Sequence, residues 1–323
     1  MYYVVTGAAG FIGSRIVEAL NRAGVTDIVA VDNLRQSDKV RNLAGVDIAD
    51  YIDQAELVER LDSFDGALEA VLHQGACSDT MESDGRYMME NNYRYSKTLL
   101  DWCQEAEVPL LYASSASVYG SGPEFREERG CERPLNVYGY SKFLFDQLVR
   151  RTLPRKTAQI AGFRYFNVYG PNEAHKGRMA SVAFHAYQQL LANGKVKLFV
   201  GSAGYGNGEQ RRDFVHVDDV VDVNLWFLDR RDVSGIFNCG TGRAQTFNEL
   251  AAAAVNAVQG TQHSVKELAD KGLIEYIAFP PGLQDKYQSY TQADLSRLRG
   301  VGYPREFMTV EQGVASYMKE LKR

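Results

Sequence analysis

Long apolar runs, paired cysteines and an excess of positive charge are all missing from this sequence, and each absence removes a class of protein. No apolar stretch reaches the ~18 residues needed to cross a bilayer, so no membrane partner is expected. The four cysteines, Cys77, Cys103, Cys131 and Cys239, lie far apart with no CxxC pair. That argues against a zinc ribbon or a disulfide framework and for reduced thiols, with no metal site expected. Thirty-six Lys and Arg against 41 Asp and Glu give a net charge of −5. No general positive field therefore draws the chain onto nucleic acid or anionic lipid, and an anionic ligand needs basic residues of its own. The first residues carry no basic region and no small-residue cleavage site, so a cytoplasmic protein is expected. Internal repeats and low-complexity tracts are missing as well.

What remains is 323 residues, 45% apolar and 24% charged, enough for a full-sized core and roughly two domains. The first half alternates short apolar runs with amphipathic stretches, the sign of βαβ units and a parallel sheet. Strands are expected over Tyr3–Thr6, Ile28–Val31, Ala70–His73, Leu110–Ser114 and Gln159–Arg164, and helices over Gly13–Ala23, Gly85–Glu105 and Val137–Arg151. Beyond Arg164 the rhythm loosens. A helix is expected over Met179–Leu191, no regular element over the glycine-rich stretch Gly201–Gly208, a helix over Val217–Leu228, a returning strand at Gly235–Asn238 and a closing helix at Val310–Leu321. The expected fold is α/β, a doubly wound parallel sheet with a smaller α+β substrate lobe. Residues 1–166 and about 214–240 would form the nucleotide-binding domain, and about 167–213 and 241–323 the lobe.

Thr6-Gly7-Ala8-Ala9-Gly10-Phe11-Ile12-Gly13 falls between the first strand and the first helix. There the chain must turn tightly, and the helix N-terminus offers unpaired N–H groups and partial positive charge to a pyrophosphate. The spacing is GxxGxxG, which alone also fits a plain strand-to-helix turn. Asp32 ends the second strand about twenty residues later, where an acid accepts hydrogen bonds from an adenosine ribose. Its carboxylate favours NAD, whereas the neighbouring Arg35, Lys39 and Arg41 can pair with a 2′-phosphate, so local chemistry leaves NAD and NADP both open.

Ser114-Ser115-Ala116-Ser117 lies just past a strand's carboxyl end, and Tyr138-Gly139-Tyr140-Ser141-Lys142 opens a later helix. Tyr138 and Lys142 are one turn apart and share a face. An ammonium beside a phenol is expected to lower its pKa and make Tyr138 a base near neutrality, with Ser115 bonding the reacting oxygen.

TGxxGFIG, the Ser-Ser-Ala segment and YxxxK, in this order, resemble the extended short-chain dehydrogenase/reductase family, whose members act mainly on nucleotide-linked sugars through a Rossmann domain. The segments His73 to Ser78, Met88 to Tyr93, Asn136 to Phe145, Gly162 to Pro171, His175 to Ser181 and Arg212 to Val215 extend the likeness to nearly the whole chain. They resemble most the branch that inverts C6 of an ADP-linked heptose. The resemblance implies NADP as cofactor, NAD being the alternative, and conversion of ADP-D-glycero-D-manno-heptose to its L-glycero form for lipopolysaccharide core synthesis by transient oxidation and re-reduction. It also implies a homo-oligomer, a pentamer.

Carried over residue by residue, the family's second base maps to Lys176, and Lys142 reaches the nicotinamide ribose. Gly7, Gly10, Phe11, Ile12 and Gly13 border the pyrophosphate; Asp32, Asn33 and Lys39 surround the adenosine ribose. Gln74, Gly75, Ala76, Cys77 and Ser78 pass beneath the cofactor, Asn91 touches it from the next helix, and Val168 and Lys176 lie at its nicotinamide end. Asn167, Arg178, His185, Phe199, Val200, Gly201, Ser202, Arg212 and Tyr287 line the substrate side, with Arg178 and Arg212 suited to a diphosphate.

Three departures qualify the likeness. Gln54 replaces a family lysine near the 2′-phosphate, the stretches 203–209 and 259–271 are longer than usual, and Arg178 replaces a serine beside Lys176, whose pKa it is expected to depress. Another nucleotide-sugar epimerase or reductase, or a non-catalytic NAD(P)-binding protein, are the alternatives. A 4,6-dehydratase is disfavoured because Ser115 is followed by Ala116-Ser117 rather than carboxylates.

Overall fold

The structure, a computed structural model, describes residues 1–280 and 288–322. Among these the strands are, in chain order, β1 (Tyr2–Thr6), β2 (Ile28–Asp32), β3 (Asp50–Asp53), β4 (Leu68–His73), β5 (Leu110–Ser115), β6 (Ile160–Tyr165), β7 (Asn167–Tyr169), β8 (Val196–Phe199), β9 (Arg211–Arg212), β10 (Phe214–His216), β11 (Gly235–Cys239), β12 (Gln245–Thr246) and β13 (Ile274–Ile277). Seven of them form one sheet in the order β11-β6-β5-β4-β1-β2-β3, every neighbouring pair parallel. Strand order reverses between β1 and β4, and the crevice beyond the carboxyl ends of these two strands is where such sheets take their ligands.

Alternation along each strand feeds two cores. Val5 and Ile16, Val17 and Leu20 of α1 (Phe11–Arg22) pack on one face of the sheet with Val220, Val223 and Phe227 of a later helix. Val4 points the other way, into a core with Leu57 of α2 (Gln54–Arg60). Behind α3 (Gly85–Met88), α4 (Tyr95–Glu105) adds Leu99, Leu100 and Cys103, and α5 (Val137–Thr152) adds Phe145 and Val149 to that core. Each such buried aliphatic stabilises the fold by about 1.5–3 kcal/mol. The central strands are buried on both faces, which is why they read as unbroken apolar runs.

A further core joins α6 (Val182–Asn193), α8 (Phe247–Gln259) and the closing helix Val310–Leu321 through Tyr187, Leu190, Leu250, Val255, Val314 and Tyr317. The parallel pair β8–β13 lies against it. α7 (Val217–Leu228) connects β10, which pairs with β7, back to β11.

Four expectations are corrected. The first helix starts at Phe11, not Gly13, because Gly10 already serves as its N-cap. β3 was not expected: only Ile52 of its four residues is buried, so no apolar run marks it. The helix expected over Gly85–Glu105 contains a π-helical turn, Met89–Arg94, between α3 and α4. α6 starts at Val182 because the Ser181 hydroxyl accepts the Phe184 N–H and caps it there. The four cysteines are free thiols, and among the described residues no helix is long and apolar enough to cross a membrane.

Candidate active site

One cavity of about 810 Å³ occupies the crevice at the β1/β4 switch point. Its glycine loop is fixed by steric need. Gly7 has φ +67°, and a Cβ there would lie 2.7 Å from the backbone nitrogen of Gly75; a Cβ on Gly13 would meet the Gly7 carbonyl oxygen at 2.1 Å. The two loops after β1 and β4 therefore touch backbone to backbone. The free N-terminus of α1, with no side-chain cap and no acid in its first turn, faces the cavity. Such a cradle fits a dinucleotide pyrophosphate.

Asp32 closes one end. Its Oδ2 accepts the Ala9 N–H at 3.0 Å, and its Oδ1 accepts the Asn33 N–H at 2.8 Å and the Lys39 ammonium at 2.6 Å. Asn33, Arg35, Gln36, Lys39, Gln54 and His175 line the cavity around it. Gln54 donates to Asn91 at 3.0 Å. Arg41 turns away, exposed and beside Asp38.

Beneath the cavity a buried chain of hydrogen bonds holds the β4 loop. Thr6 Oγ1 accepts the Gly75 N–H at 3.1 Å and lies 2.7 Å from His73 Nδ1; His73 Nε2 lies 2.8 Å from Ser96 Oγ. Burial, aided by the Lys142 charge, lowers the His73 pKa to about 3, so the ring is neutral. The Ser96 hydroxyl donates to the Asn92 carbonyl, which leaves its oxygen to accept the Nε2–H of His73. The cavity floor takes in Gln74, Gly75, Ala76, Cys77, Ser78 and Asn91.

Another part of the cavity wall is built on β5 and α5. The Asn136 side chain accepts the Gly139 N–H at 2.8 Å and caps α5, so Tyr138 sits in its first turn and Lys142 one turn on. Both line the cavity with Ser114, Ser115 and Ser117. Ser115 Oγ bonds Ser117 Oγ at 3.0 Å, and Lys142 Nζ donates to the Ala113 carbonyl at 2.8 Å. The expected acidic phenol is not what the protein alone presents. Burial raises the Tyr138 pKa, the Ser115 hydrogen bond pulling partly back. Burial also lowers Lys142 to about 8, with Asp146 opposing.

Lys176 reaches the same cavity from the segment after β7, its Nζ 5.1 Å from the Phe11 ring centre. Burial lowers its pKa and Glu173 opposes. Arg178 does not contribute to that shift, correcting the expectation. Its guanidinium pairs with Asp79 Oδ2 at 2.7 Å.

Asn167 and Val168 line the cavity, but His185, Phe199, Val200, Gly201, Ser202 and Arg212 do not. His185 lies on α6 against Phe184, and Phe199 stacks on Phe279. Gln210 donates to the Val200 carbonyl and to Ser202. Arg212 is buried beside the Phe247 ring. Tyr287 is outside the described residues. The wall also includes Tyr87, Tyr95, Tyr165 and Phe166, which sequence reasoning missed. Tyr165 and Phe166 could have been found from their place at the carboxyl end of β6.

A model described as the NAD dependent epimerase/dehydratase family matches residues 3–240. A protein of Thiobacillus denitrificans (strain ATCC 25259 / T1), an ADP-L-glycero-D-manno-heptose-6-epimerase, is 61% identical over 326 residues, covering 99% of this chain and 98% of that one. The Helicobacter pylori ADP-L-glycero-D-manno-heptose-6-epimerase crystal structure superposes with a TM-score of 0.82 at 27% identity, covering 99% and 96% of the two chains. The Thermus thermophilus UDP-glucose 4-epimerase in complex with NAD gives 0.78 at 27% identity, covering 100% and 99%.

Proposed function

The chain belongs to the NAD dependent epimerase/dehydratase family, and on that premise we propose that it converts ADP-D-glycero-D-manno-heptose to the L-glycero epimer at C6. The observation that carries this reading is the convergence on one cavity of the glycine cradle, the Tyr138–Lys142 pair and Lys176. The 61% identical relative supports the choice of sugar. When bound, a nicotinamide dinucleotide takes a hydride from the sugar carbon and returns it to the opposite face, so it is not consumed.

The chain's own residues handle protons and orientation. Tyr138, bonded by Ser115, removes the C6 hydroxyl proton in one orientation of the sugar, and Lys176 serves the other. Burial favours the neutral amine that Lys176 needs to act as a base. Lys142 supplies positive charge beneath the ribose. Asn167, Arg178, His185, Phe199 to Ser202, Arg212 and Tyr287 are assigned by resemblance to the sugar nucleotide.

For the cofactor we favour NADP, with NAD also accepted. The Asp32 charge is offset by Lys39 and two backbone N–H groups, which weakens its repulsion of a 2′-phosphate, and Lys39 and Arg35 can bond one. The neutral Gln54 keeps NAD admissible. Mass spectrometry of the co-purifying dinucleotide decides between them. The product is assigned to lipopolysaccharide core synthesis in the cytoplasm and the enzyme to a homo-oligomer, a pentamer, which light scattering on the purified protein reads.

Purified protein given the D-glycero sugar should accumulate the L-glycero form with no net change in cofactor. Absence of conversion with the dinucleotide intact overturns the reading. Turnover of UDP-hexoses but not ADP-heptose would instead make it a 4-epimerase.

A further inference from the structure

The segment 171–181 lines the cavity through His175, Lys176 and Arg178, and its base and its tip are held very differently. At the near end Asn172 Nδ2 donates to Ser14 Oγ at 3.0 Å and Glu18 Oε1 at 2.7 Å, both on α1. Asn42 Nδ2 donates to the Ala9 carbonyl of the glycine loop at 3.0 Å and to the Asn172 carbonyl at 3.1 Å. The root is the fully buried Glu173 carboxylate, which accepts the Gly170 N–H at 3.2 Å and the Ser181 hydroxyl at 2.7 Å. In the middle Lys176 lies over Phe11. With Gly170 and Ser181 both tied to Glu173 the segment is a loop closed at its base, and beyond Lys176 its tip has a single side-chain tie among the described contacts, the ion pair of Arg178 with Asp79 on the loop after β4. Arg178 is 71% exposed and Asp79 31%. Asp79 is held in place by the Met81 N–H, which it accepts at 2.9 Å. Between Lys176 and that tie, Gly177 takes φ +53° and ψ −123°, with nothing within 4 Å of where a Cβ would stand.

We propose that Asp79 and Arg178 are a positioning pair: their ion pair latches the Lys176-bearing segment across the cofactor cleft, and its opening sets how fast the dinucleotide leaves. The proposal rests on the cleft binding a nicotinamide dinucleotide and not on the sugar or on Lys176 acting as a base. Freeing the root would strand a buried carboxylate and its donors, which is costly. Breaking the exposed latch costs little and leaves Gly177 free to act as the joint. The loop therefore lifts at its tip, on the Asp79 side, while its base stays closed on Glu173.

The test loads the full-length protein with reduced nicotinamide dinucleotide, displaces it with excess oxidised form and follows the fluorescence. D79N and R178Q should each speed release about two- to five-fold, the equivalent of ~0.4–1 kcal/mol for an exposed ion pair. The double variant should be no faster than either single one, R178K should restore most of the retention, and high salt should speed release from the unaltered protein by a larger factor than from the variants. Additive effects, or an effect of R178Q with none from D79N, would mean that Arg178 acts on the ligand directly and would overturn the latch. Because no sugar is present, loss of epimerisation in a separate assay leaves this result standing, and the reverse holds too.

Discussion

Asn92, inside the π-helical turn, grips Cys77 from both sides: its Oδ1 accepts the Cys77 N–H at 2.8 Å and its Nδ2 donates to the Cys77 carbonyl at 3.0 Å. The same amide nitrogen lies 3.2 Å from Ser141 Oγ, whose hydroxyl donates to the Tyr138 carbonyl. One buried amide thus ties the cavity floor to the helix that carries Tyr138. The wider π turn aims Asn91 at the cleft and Asn92 inward, a common use of such turns.

Asn92→Ala would leave both Cys77 backbone groups without this partner. We expect a loss of about 1–3 kcal/mol in urea unfolding together with weaker dinucleotide binding. An unchanged unfolding midpoint would show that the clamp is dispensable.

Tyr138→Phe keeps the ring but removes the hydroxyl that we propose as the proton acceptor. Turnover should fall about 100-fold or more while dinucleotide affinity stays nearly constant, as read by steady-state kinetics beside a binding titration. Wild-type turnover in that variant would exclude Tyr138 as the base.

Lys39→Ala removes the cation next to Asp32 and exposes its carboxylate to the ligand. NADP affinity should drop about tenfold or more and NAD affinity much less, measured by isothermal titration with each dinucleotide. Equal losses for the two would remove Lys39 from cofactor choice.

Lys142 carries a pH signature. Its folded pKa of about 8 lies below the ordinary 10.5. At pH 7 it is charged both folded and unfolded, so the folded state bears the cost of burying the ammonium. Between about 8 and 10.5 the folded protein has released a proton that the unfolded chain still holds, and stability from this group rises with pH across that window. Lys142→Met should therefore stabilise the dinucleotide-free protein at pH 7 by up to roughly 3 kcal/mol. The advantage should shrink towards pH 10, as followed by urea unfolding. A gap that stays constant with pH would contradict the burial of this charge.

Buried strands and helix-spaced side chains were readable in one dimension because their determinants are local. The run Tyr3 to Thr6, the glycines that follow and the acid at Asp32 each declare a backbone requirement within a few residues, and Tyr138 with Lys142 needs only one turn of helix. β3 escaped because an edge strand with one buried residue has no pattern to show. The π turn escaped because a single extra residue per turn leaves the amphipathic period nearly intact.

The sequence by itself determined the α/β order, the cradle and the Tyr138–Lys142 face, since these follow from glycine sterics, apolar alternation and helical spacing. Only the tertiary structure decided the protonation balance and the partners of the charged groups. Burial depends on what packs around a residue, so it raised Tyr138 and lowered Lys142 against the local expectation. Arg178 was committed to Asp79, 99 residues away, because the doubly wound sheet brings the loop after β4 and the segment after β7 to opposite banks of one cleft.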